Sequence, residues 1–334
     1  MPQIRLDEIV SLSHQILKKH GVSEEDLKII IDTILYAHKR GKETHGVGRV
    51  PIYARKIKEG YMSASTILKP IKEAPVISVF DVNNGFGQVA ASKGMSIAVK
   101  KAAKYGIGVV GIKGSNNFGV AGYYAEMAVK EKMIGLVLSN SGPAIAPWGA
   151  SKPLFGTNPI AFGFPGGHYK PPVILDMASS NAARGKIRLA GKNNEKIPFG
   201  WALDADGNPT NNPLEALKGS MIPIGEHKGY GLALAVDILA GLLTGAAFGG
   251  EVKRLNHPSE VSDYGHLLIA INISHFLNYG DYLDKMDVLT ENIKKAGEDV
   301  YLPGEKSYLL SQNKRDVVNI SAAHLEELKN LLKI

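Results

Sequence analysis

The stretch THGVGR, residues 44–49, carries two side chains suited to oxidising a small hydroxy acid. His45 and Arg49 are four positions apart, a spacing that predicts one shared face of a helix. An imidazole titrates near neutral pH and can take the hydroxyl proton as hydride leaves. A guanidinium can bind a carboxylate through two parallel hydrogen bonds. The spacing alone is common, and it is equally typical of a surface histidine or a helix-capping histidine.

Other candidate residues follow strand-like segments, where ligands of open α/β sheets collect. Asn140, Asn158 and Asp176 all occupy such places. Asp176 is predicted either to accept hydrogen bonds from a cofactor or to cap a helix that begins near Ser179. Lys228 precedes a strongly apolar helix in HKGYGL. We therefore expect Lys228 to be partly desolvated, with a cofactor phosphate or a structural carboxylate as its partner.

Two glycine-rich segments have both a functional and a plain structural interpretation. GSNNFGVAGYY, residues 114–124, leads into a predicted helix whose first amides could bind an anion, or it is a simple loop and cap. LPGEKS, residues 302–307, is typical of a surface turn.

GFGQVA, residues 85–90, follows a predicted strand and opens a helix, as a dinucleotide-binding fingerprint does. A Rossmann unit then places an acidic residue at the end of the next strand to bind the adenosine ribose. Here that strand ends in Lys113, which suits only a 2′-phosphate. The fingerprint is therefore weakened.

Composition excludes several classes of site. The chain of 334 residues has no cysteine, so disulfides, thiolate metal sites and a cysteine nucleophile are absent. Its ten histidines lack metal-ligand spacing; His257, His266 and His275 fall on different predicted elements, and we predict no metal. No GxSxG elbow or phosphate-binding loop is present.

Charge and hydropathy indicate the setting of the protein. The net charge of +7 is spread over many lysines, and the clusters KRGK and VKKAAK are typical of solvated helix faces. We expect no nucleic-acid binding, although a basic DNA-binding protein is an alternative interpretation. The positive charge can also steer anionic ligands toward the protein. The longest apolar run, residues 232–243, contains Asp237 and is too short to cross a membrane. No leader is visible, so we expect a cytoplasmic protein.

The pattern of elements predicts an α/β fold. Residues 1 to about 62 are predicted to be helical, with one helix ending at Gly21, a second starting at Ser23 and stopping near Gly41. Short β-rich runs then alternate with helical stretches as far as about Ile273, and charged helices are predicted near 282–296 and 322–332. We expect a mixed central sheet with flanking helices, and a helical layer built from both termini.

Taken in order, six segments resemble the malate/L-lactate dehydrogenase family over roughly residues 5–330. They are THGVGR, the run from GIGVVGIKGSNNFG to GTNPIAFGFP, LDMASSNAARGKI, IPFGWALDADGNPT, HKGYGL and LPGE. The resemblance implies a non-Rossmann fold that binds NAD or NADP, a homodimer, and a false match at GFGQVA. With the pattern of elements, we predict a helical domain of residues 1–70 and 300–334, and an NAD(P)-binding and substrate domain of residues 71–299.

The resemblance also implies roles for individual residues. His45 is matched to the proton donor and acceptor, and Arg49 to the carboxylate anchor. Family cofactor contacts fall on Ser141, Asp176, Met177, Ala178, Lys228, Gly229, Gly304 and Glu305. Many members have a histidine at the position of Asn117, and in ureidoglycolate dehydrogenase that histidine is regarded as the proton acceptor. Because an amide is not a base at neutral pH, proton transfer is expected to rest on His45, while Asn117 orients substrate or nicotinamide.

The expected reaction is interconversion of a small 2-hydroxy acid and its 2-keto acid, with malate and lactate as the first substrates to test. The family also includes ureidoglycolate and sulfolactate dehydrogenases, diketogulonate reductase and a reductase of cyclic imino acids. A rival of another class is a nicotinamide-binding protein without turnover, in which Asn117 marks the loss of chemistry.

Overall fold

The computed structural model describes residues 3–255, 260–313, 316–320 and 322–333. The α-helices are α1 Leu6–Lys19, α2 Glu24–Lys39, α3 Val50–Lys58, α4 Gly87–Tyr105, α5 Ala121–Lys130, α6 Arg184–Lys192, α7 Pro213–Lys218, α8 His227–Val236, α9 Tyr279–Lys295, α10 Glu305–Gln312 and α11 Ala322–Lys333. The strands are β1 Gln3–Arg5, β2 Lys69–Glu73, β3 Ile77–Asp81, β4 Ile107–Ser115, β5 Met133–Ser139, β6 Ile160–Phe164, β7 Val173–Met177, β8 Ala202–Leu203, β9 Pro209–Thr210, β10 Tyr264–Asn272 and β11 Val317–Asn319.

The first helices begin and end where local chemistry predicts. The Ser23 side chain accepts a hydrogen bond from the Asp26 amide and so caps α2. Gly21 and Gly41 follow the ends of α1 and α2 with positive φ of 88° and 70°, a conformation that costs glycine little. The prediction that one helix ends at Gly21 and the next near Gly41 is confirmed.

The central sheet is mixed. Within the described residues, seven strands lie in the order β2-β3-β4-β10-β5-β6-β7. Only β3 and β4 run parallel, and each other neighbouring pair is antiparallel. A doubly wound Rossmann sheet is mostly parallel, so this order confirms the predicted non-Rossmann α/β class.

Helices cover the two faces of this sheet unequally. On one face, α4 and α5 bury a core of small and aromatic side chains that includes Met95, Phe118 and Tyr124. On the other face, α8 continues through a π-helical turn, Asp237–Gly241, and a 3-10 turn, Leu242–Thr244. Only a small core, with Leu138 and Leu267, forms there. In the part of the chain that the structure describes, no helix is long and apolar enough to cross a membrane.

Helices from both ends of the sequence share a second core. Ile16 of α1, Ile30 of α2, Tyr53 of α3 and Leu328 of α11 belong to one buried cluster. Strands β1 and β11 pair antiparallel in the same layer. This packing supports the proposed domain of residues 1–70 and 300–334, and the boundaries themselves stay a prediction.

GFGQVA lies at the start of α4, which connects the parallel strands β3 and β4. Its glycines pack closely against neighbouring protein atoms. A Cβ on Gly87 would lie 2.1 Å from the Asn116 carbonyl oxygen, and one on Gly85 would lie 2.8 Å from the Thr66 hydroxyl. The Phe86 amide donates to the Thr66 hydroxyl at 2.8 Å. Protein therefore fills the space that a pyrophosphate would need at this helix start.

Candidate active site

His45 and Arg49 lie on two short 3-10 turns, Glu43–His45 and Val47–Arg49, between α2 and α3. The expectation of a shared helix face is wrong, because Gly46 is extended with φ of −93° and ψ of −147° and separates the turns. The two side chains still converge on Thr44. Arg49 Nε donates to the Thr44 carbonyl at 2.9 Å, and the Thr44 hydroxyl lies 3.0 Å from His45 Nδ1.

Burial and neighbouring cations keep the His45 imidazole neutral. Burial lowers the pKa of His45 to about 3, and the positive charges of Arg49 and Lys42 act in the same direction. The residue is half-buried in the single chain. A neutral imidazole can accept a proton at physiological pH.

A cavity of about 300 Å³ lies beside this turn. Its walls come from α2, the start of α5, β7 and the segment before α10, and they include Arg40, Lys42, Asp176, Gly304 and Lys306. The His45 amide donates to the Lys42 carbonyl at 2.9 Å, so the turn that carries the imidazole borders the cavity. His45 and Arg49 do not line the cavity themselves, and Lys42 is the residue that connects their turn to Asp176.

Asp176 is the residue before the last one of β7, and its carboxyl faces the start of α5. The Gly122 amide donates to it, and the charge of Lys42 also favours the ionised form, but burial dominates and raises the pKa of Asp176. The interpretation as a cap for a helix from Ser179 is wrong, because the next helix, α6, begins at Arg184. The Gly122 amide is one of the helix-start amides of GSNNFGVAGYY that could bind an anion, and here it donates to the Asp176 carboxyl.

Met177 and Ala178 lead from Asp176 to a segment that pairs with the approach to α8. The Ile224 amide donates to the Ser179 carbonyl at 2.9 Å, and a Cβ on Gly229 would lie 2.1 Å from the Ile224 carbonyl oxygen. The structure thereby places Lys228 and Gly229 beside the end of β7. Lys228 is exposed in the single chain, so the expectation of a partly desolvated lysine is wrong for the free subunit.

Gly304 and Glu305 form the junction between the cavity and α10. Gly304 has a φ of +82°, and a Cβ there would lie 2.5 Å from the Ile174 carbonyl oxygen. The Glu305 carboxylate accepts hydrogen bonds from Lys294 Nζ at 2.7 Å and from the Leu302 amide at 2.8 Å. Residues 302–304 of LPGEKS thus form a turn, and residues 305–307 begin α10. The sequence predicts only the turn.

Asn117 lies in the loop after β4, and its Oδ1 accepts from the Gly119 amide at 3.2 Å. Behind the loop, His266 of β10 stacks on Phe118, with ring centroids 4.7 Å apart. The His266 ring nitrogens lie 2.8 Å from the Ser115 hydroxyl and 2.9 Å from the Ser139 hydroxyl. Burial lowers the pKa of His266 to about 3, so this support stays neutral.

Ser141 lies at the end of β5, where two buried asparagines fix the backbone. Its amide donates to Asn158 Oδ1 at 3.1 Å, and Asn158 Nδ2 donates to the Ala233 carbonyl in α8 at 2.8 Å. Asn140 Nδ2 donates to the Ala247 carbonyl at 2.7 Å. Asn158 thus connects the Ser141 segment to α8, and Asn140 connects the end of β5 to the segment after the 3-10 turn.

Metal ligation has no support in the arrangement of side chains. Among the described residues no cluster of three or more histidine and carboxylate side chains could hold a metal ion. His257 lies outside the described residues.

Sequence reasoning missed several charged residues of this region. The KRGK pattern predicts a solvated helix face for Lys42, yet this lysine lines the cavity. Burial lowers the pKa values of Arg184 and Arg188. The charge of Arg254 lowers both further, and that of Arg49 lowers the pKa of Arg188, so these side chains lie in one region. The i, i+4 spacing of Arg184 and Arg188 was a usable signal. Nothing local pointed to Arg254.

Comparison with known proteins identifies the class of this fold and site. The malate/L-lactate dehydrogenase family model matches residues 4–329, so the chain belongs to that family. It is an NAD(P)-dependent oxidoreductase that interconverts hydroxy acids and keto acids.

Two relatives and one solved structure illustrate the similarity. The malate/(S)-sulfolactate dehydrogenase of Methanothermus fervidus is 42% identical over 322 residues, 96% of this chain and 94% of the relative. The (2R)-3-sulfolactate dehydrogenase (NADP(+)) of Chromohalobacter salexigens is 35% identical over 98% of this chain and 97% of the relative. The structure of sulfolactate dehydrogenase from Methanocaldococcus jannaschii superposes with a TM-score of 0.93 at 39% identity, covering 99% of this chain and 97% of that chain.

Proposed function

We propose that the chain interconverts a small 2-hydroxy acid and its 2-keto acid with His45 as the group that exchanges the proton and Arg49 as the carboxylate anchor. Malate and sulfolactate, named in the relatives, are the leading substrates. The observation that carries the proposal is the position of the His45 turn, which borders the cavity of Asp176 through Lys42.

Each residue has one task in this proposal. His45 takes the hydroxyl proton during oxidation and returns it during reduction. Arg49 binds the 2-carboxylate, and its Nε bond to the Thr44 carbonyl fixes the direction of the guanidinium. Asn117, whose amide is not a base, orients the substrate or the nicotinamide by hydrogen bonding.

The residues present fit a nicotinamide dinucleotide. Lys42 and Lys306 bring positive charge to the cavity, as a pyrophosphate requires, whereas the Arg40 guanidinium pairs with Glu126 at 2.7 Å. The Asp176 carboxyl offers an acceptor for ribose hydroxyls. A Cβ on Gly119 would meet nothing within 4 Å, which leaves room for close approach. Ser141, Met177, Ala178, Lys228, Gly229, Gly304 and Glu305 are the further proposed contacts. When bound, the cofactor supplies or accepts the hydride.

The low pKa of His45 predicts an unusual pH profile. Because the free enzyme holds a neutral imidazole down to about pH 3, protonation of His45 should not reduce kcat/KM for hydroxy acid oxidation between about pH 8 and about pH 5. The measurement is kcat/KM against pH, with circular dichroism to establish that the fold persists. An acidic limb centred near the ordinary histidine value of 6.5 would contradict this prediction.

A substrate panel tests the proposed function. NADH and NADPH oxidation would be followed with oxaloacetate, sulfopyruvate, pyruvate and cyclic imino acids. We expect turnover of at least one 2-keto acid, and the same assay gives the cofactor preference. Cofactor binding without turnover of any member would support the non-catalytic rival, and turnover of cyclic imines alone would make the chain an imine reductase.

A second copy of the chain is the proposed occupant of the apolar surface formed by residues 229–250. In that stretch the sole charged residue, Asp237, is buried, whereas Leu242 and Leu243 are 52% and 62% exposed. A region depleted of charge and rich in exposed leucine is typical of a homodimer core.

The absence of cysteine is consistent with the proposed cytoplasmic location.

Sedimentation tests the dimer. The wild-type protein should sediment as a dimer, and Leu243→Glu should shift it toward monomer, because a charge in an interface core is costly. Leu289→Glu, at a leucine of α9 that is 51% exposed, is the matched control and should leave the mass unchanged. A wild-type monomer at assay concentration would contradict the proposal.

A further inference from the structure

The loop that carries Asn117 is held firmly on both sides of this residue. Before it, Asn116 is fully buried, and its Nδ2 donates to the Asn84 carbonyl and to Asn84 Oδ1, both at 2.9 Å. After it, the buried Phe118 ring stacks on His266 with centroids 4.7 Å apart. The backbone at Asn117 therefore has little freedom, and a ligand meets a side chain whose direction is set in advance.

The hydrogen bond to Gly119 fixes which end of the Asn117 amide is turned inward. The Gly119 amide nitrogen lies 3.2 Å from Oδ1. Because a backbone N–H can only donate, the atom that faces it must be the side-chain oxygen, and the NH2 group points elsewhere. Nδ2 has no protein partner within residues 3–255 and the other described ranges, and Asn117 is only half-buried. Asn117 thus presents N–H donors to a ligand.

Asn117 and His45 lie beside two walls of one cavity. Val120, three residues after Asn117, lines the cavity of about 300 Å³, and so does Lys42, three residues before His45. A Cβ on Gly119 would meet nothing within 4 Å, so the space beside the loop is open. A substrate bound beside this cavity can therefore meet both side chains.

The C2 oxygen of a keto acid needs a hydrogen-bond donor in addition to the group that protonates it. When hydride adds to C2, the electron pair of the C=O bond moves to the oxygen, which then takes a proton. In the proposed function His45 gives that proton to one lone pair, and Arg49 is occupied by the 2-carboxylate. The second lone pair is left for another donor. An amide stabilises charge there without giving up its own proton.

We infer that Asn117 Nδ2 donates a hydrogen bond to the C2 oxygen of the substrate and stabilises the negative charge that forms on it during hydride transfer. This inference rests on the proposed function and deepens it, since it makes the substrate, and not the nicotinamide, the partner of Asn117. His45 gives the proton, and Asn117 keeps both of its own. An asparagine at this position is then compatible with turnover, contrary to the non-catalytic rival.

Two substitutions separate this catalytic role from the bond that Asn117 makes to Gly119. Asn117→Asp keeps an oxygen for the Gly119 amide but has no donor at neutral pH, whereas Asn117→Ala removes both. Both variants should lose about 100-fold or more in the single-turnover rate of keto acid reduction, the usual effect of removing one donor to a developing oxyanion. Affinity for NAD(P)H should change little. A role confined to the loop predicts a near-normal rate for Asn117→Asp, and that result would overturn the inference.

The stretching frequency of the substrate carbonyl gives a measurement that does not depend on turnover. A keto acid with an isotopic label at C2, bound together with oxidised cofactor, should show its C=O band below the value in water, because the donors weaken the C=O bond. Asn117→Asp and Asn117→Ala should move the band back toward the value in water. An unchanged band combined with weaker NAD(P)H binding would assign Asn117 to the nicotinamide and overturn the inference.

Asn193→Asp is the matched control, since it makes the same change at an exposed asparagine and should alter neither the rate nor the band. Circular dichroism reports whether each variant is folded. If neither Asn117 variant folds, the wild-type band decides, and a band at or above the value in water would overturn the inference. Turnover retained by both Asn117 variants would defeat this inference alone. Absence of wild-type turnover with every 2-keto acid would defeat the proposed function as well.

Discussion

Replacing His45 by alanine should slow hydride transfer by about 100-fold or more, the usual contribution of a general acid or base. The variant lacks the group that accepts the hydroxyl proton, and Asn117 cannot substitute for it. Single-turnover kinetics with deuterated cofactor measures the chemical step directly. Cofactor affinity should change little, because Lys42 and Asp176 keep their places in the cavity wall.

His168→Ala is the control for loss of a histidine. His168 is 43% exposed and pairs with Asp284 at 2.9 Å, so its removal should leave the chemical step unchanged. Near-normal turnover by His45→Ala would mean that another group exchanges the proton.

Replacing Arg49 by lysine should raise KM for the 2-keto acid by about 10-fold or more, with a smaller effect on kcat. Lysine keeps the charge but loses the planar fork that binds a carboxylate in two places. It also loses the Nε bond to the Thr44 carbonyl, which fixes the direction of the side chain. Steady-state kinetics at saturating cofactor separates the KM effect from the kcat effect.

Arg55→Lys provides the comparison on α3, because Arg55 is 53% exposed and pairs with Glu327. That substitution should leave KM unchanged. An Arg49→Lys enzyme with wild-type KM would remove Arg49 from the substrate-binding role.

The sequence predicts much of the fold because local signals fix the ends of its elements. Ser23 and Gly21 mark helix ends that the structure confirms. Strands such as β10 are recognisable as continuous apolar runs. The sequence does not predict the start of α10, because Pro303 and Gly304 are typical of turns. The close contact of Gly304 with Ile174 is a tertiary contact that local patterns do not show.

The candidate site was less predictable. His45 and Arg49 were singled out by residue type, and their convergence survives although the backbone between them is not helical. Arg254 comes from a segment that meets α6 only in the folded chain, so no spacing in the sequence reveals it. Asp176 lines the cavity, but its partner at the start of α5 is a tertiary contact that local propensity cannot indicate.

The neutral imidazole between Arg49 and Lys42 has a consequence for the timing of the reaction in the reductive direction. A resting enzyme that holds no proton on this ring must acquire one from solvent. Burial is the largest cause of the low pKa of His45, and the charges of Arg49 and Lys42 lower it further. The substrate carboxylate bound at Arg49 offsets part of that charge, so proton uptake should accompany formation of the ternary complex. The keto acid and the proton are thus taken up in the same event.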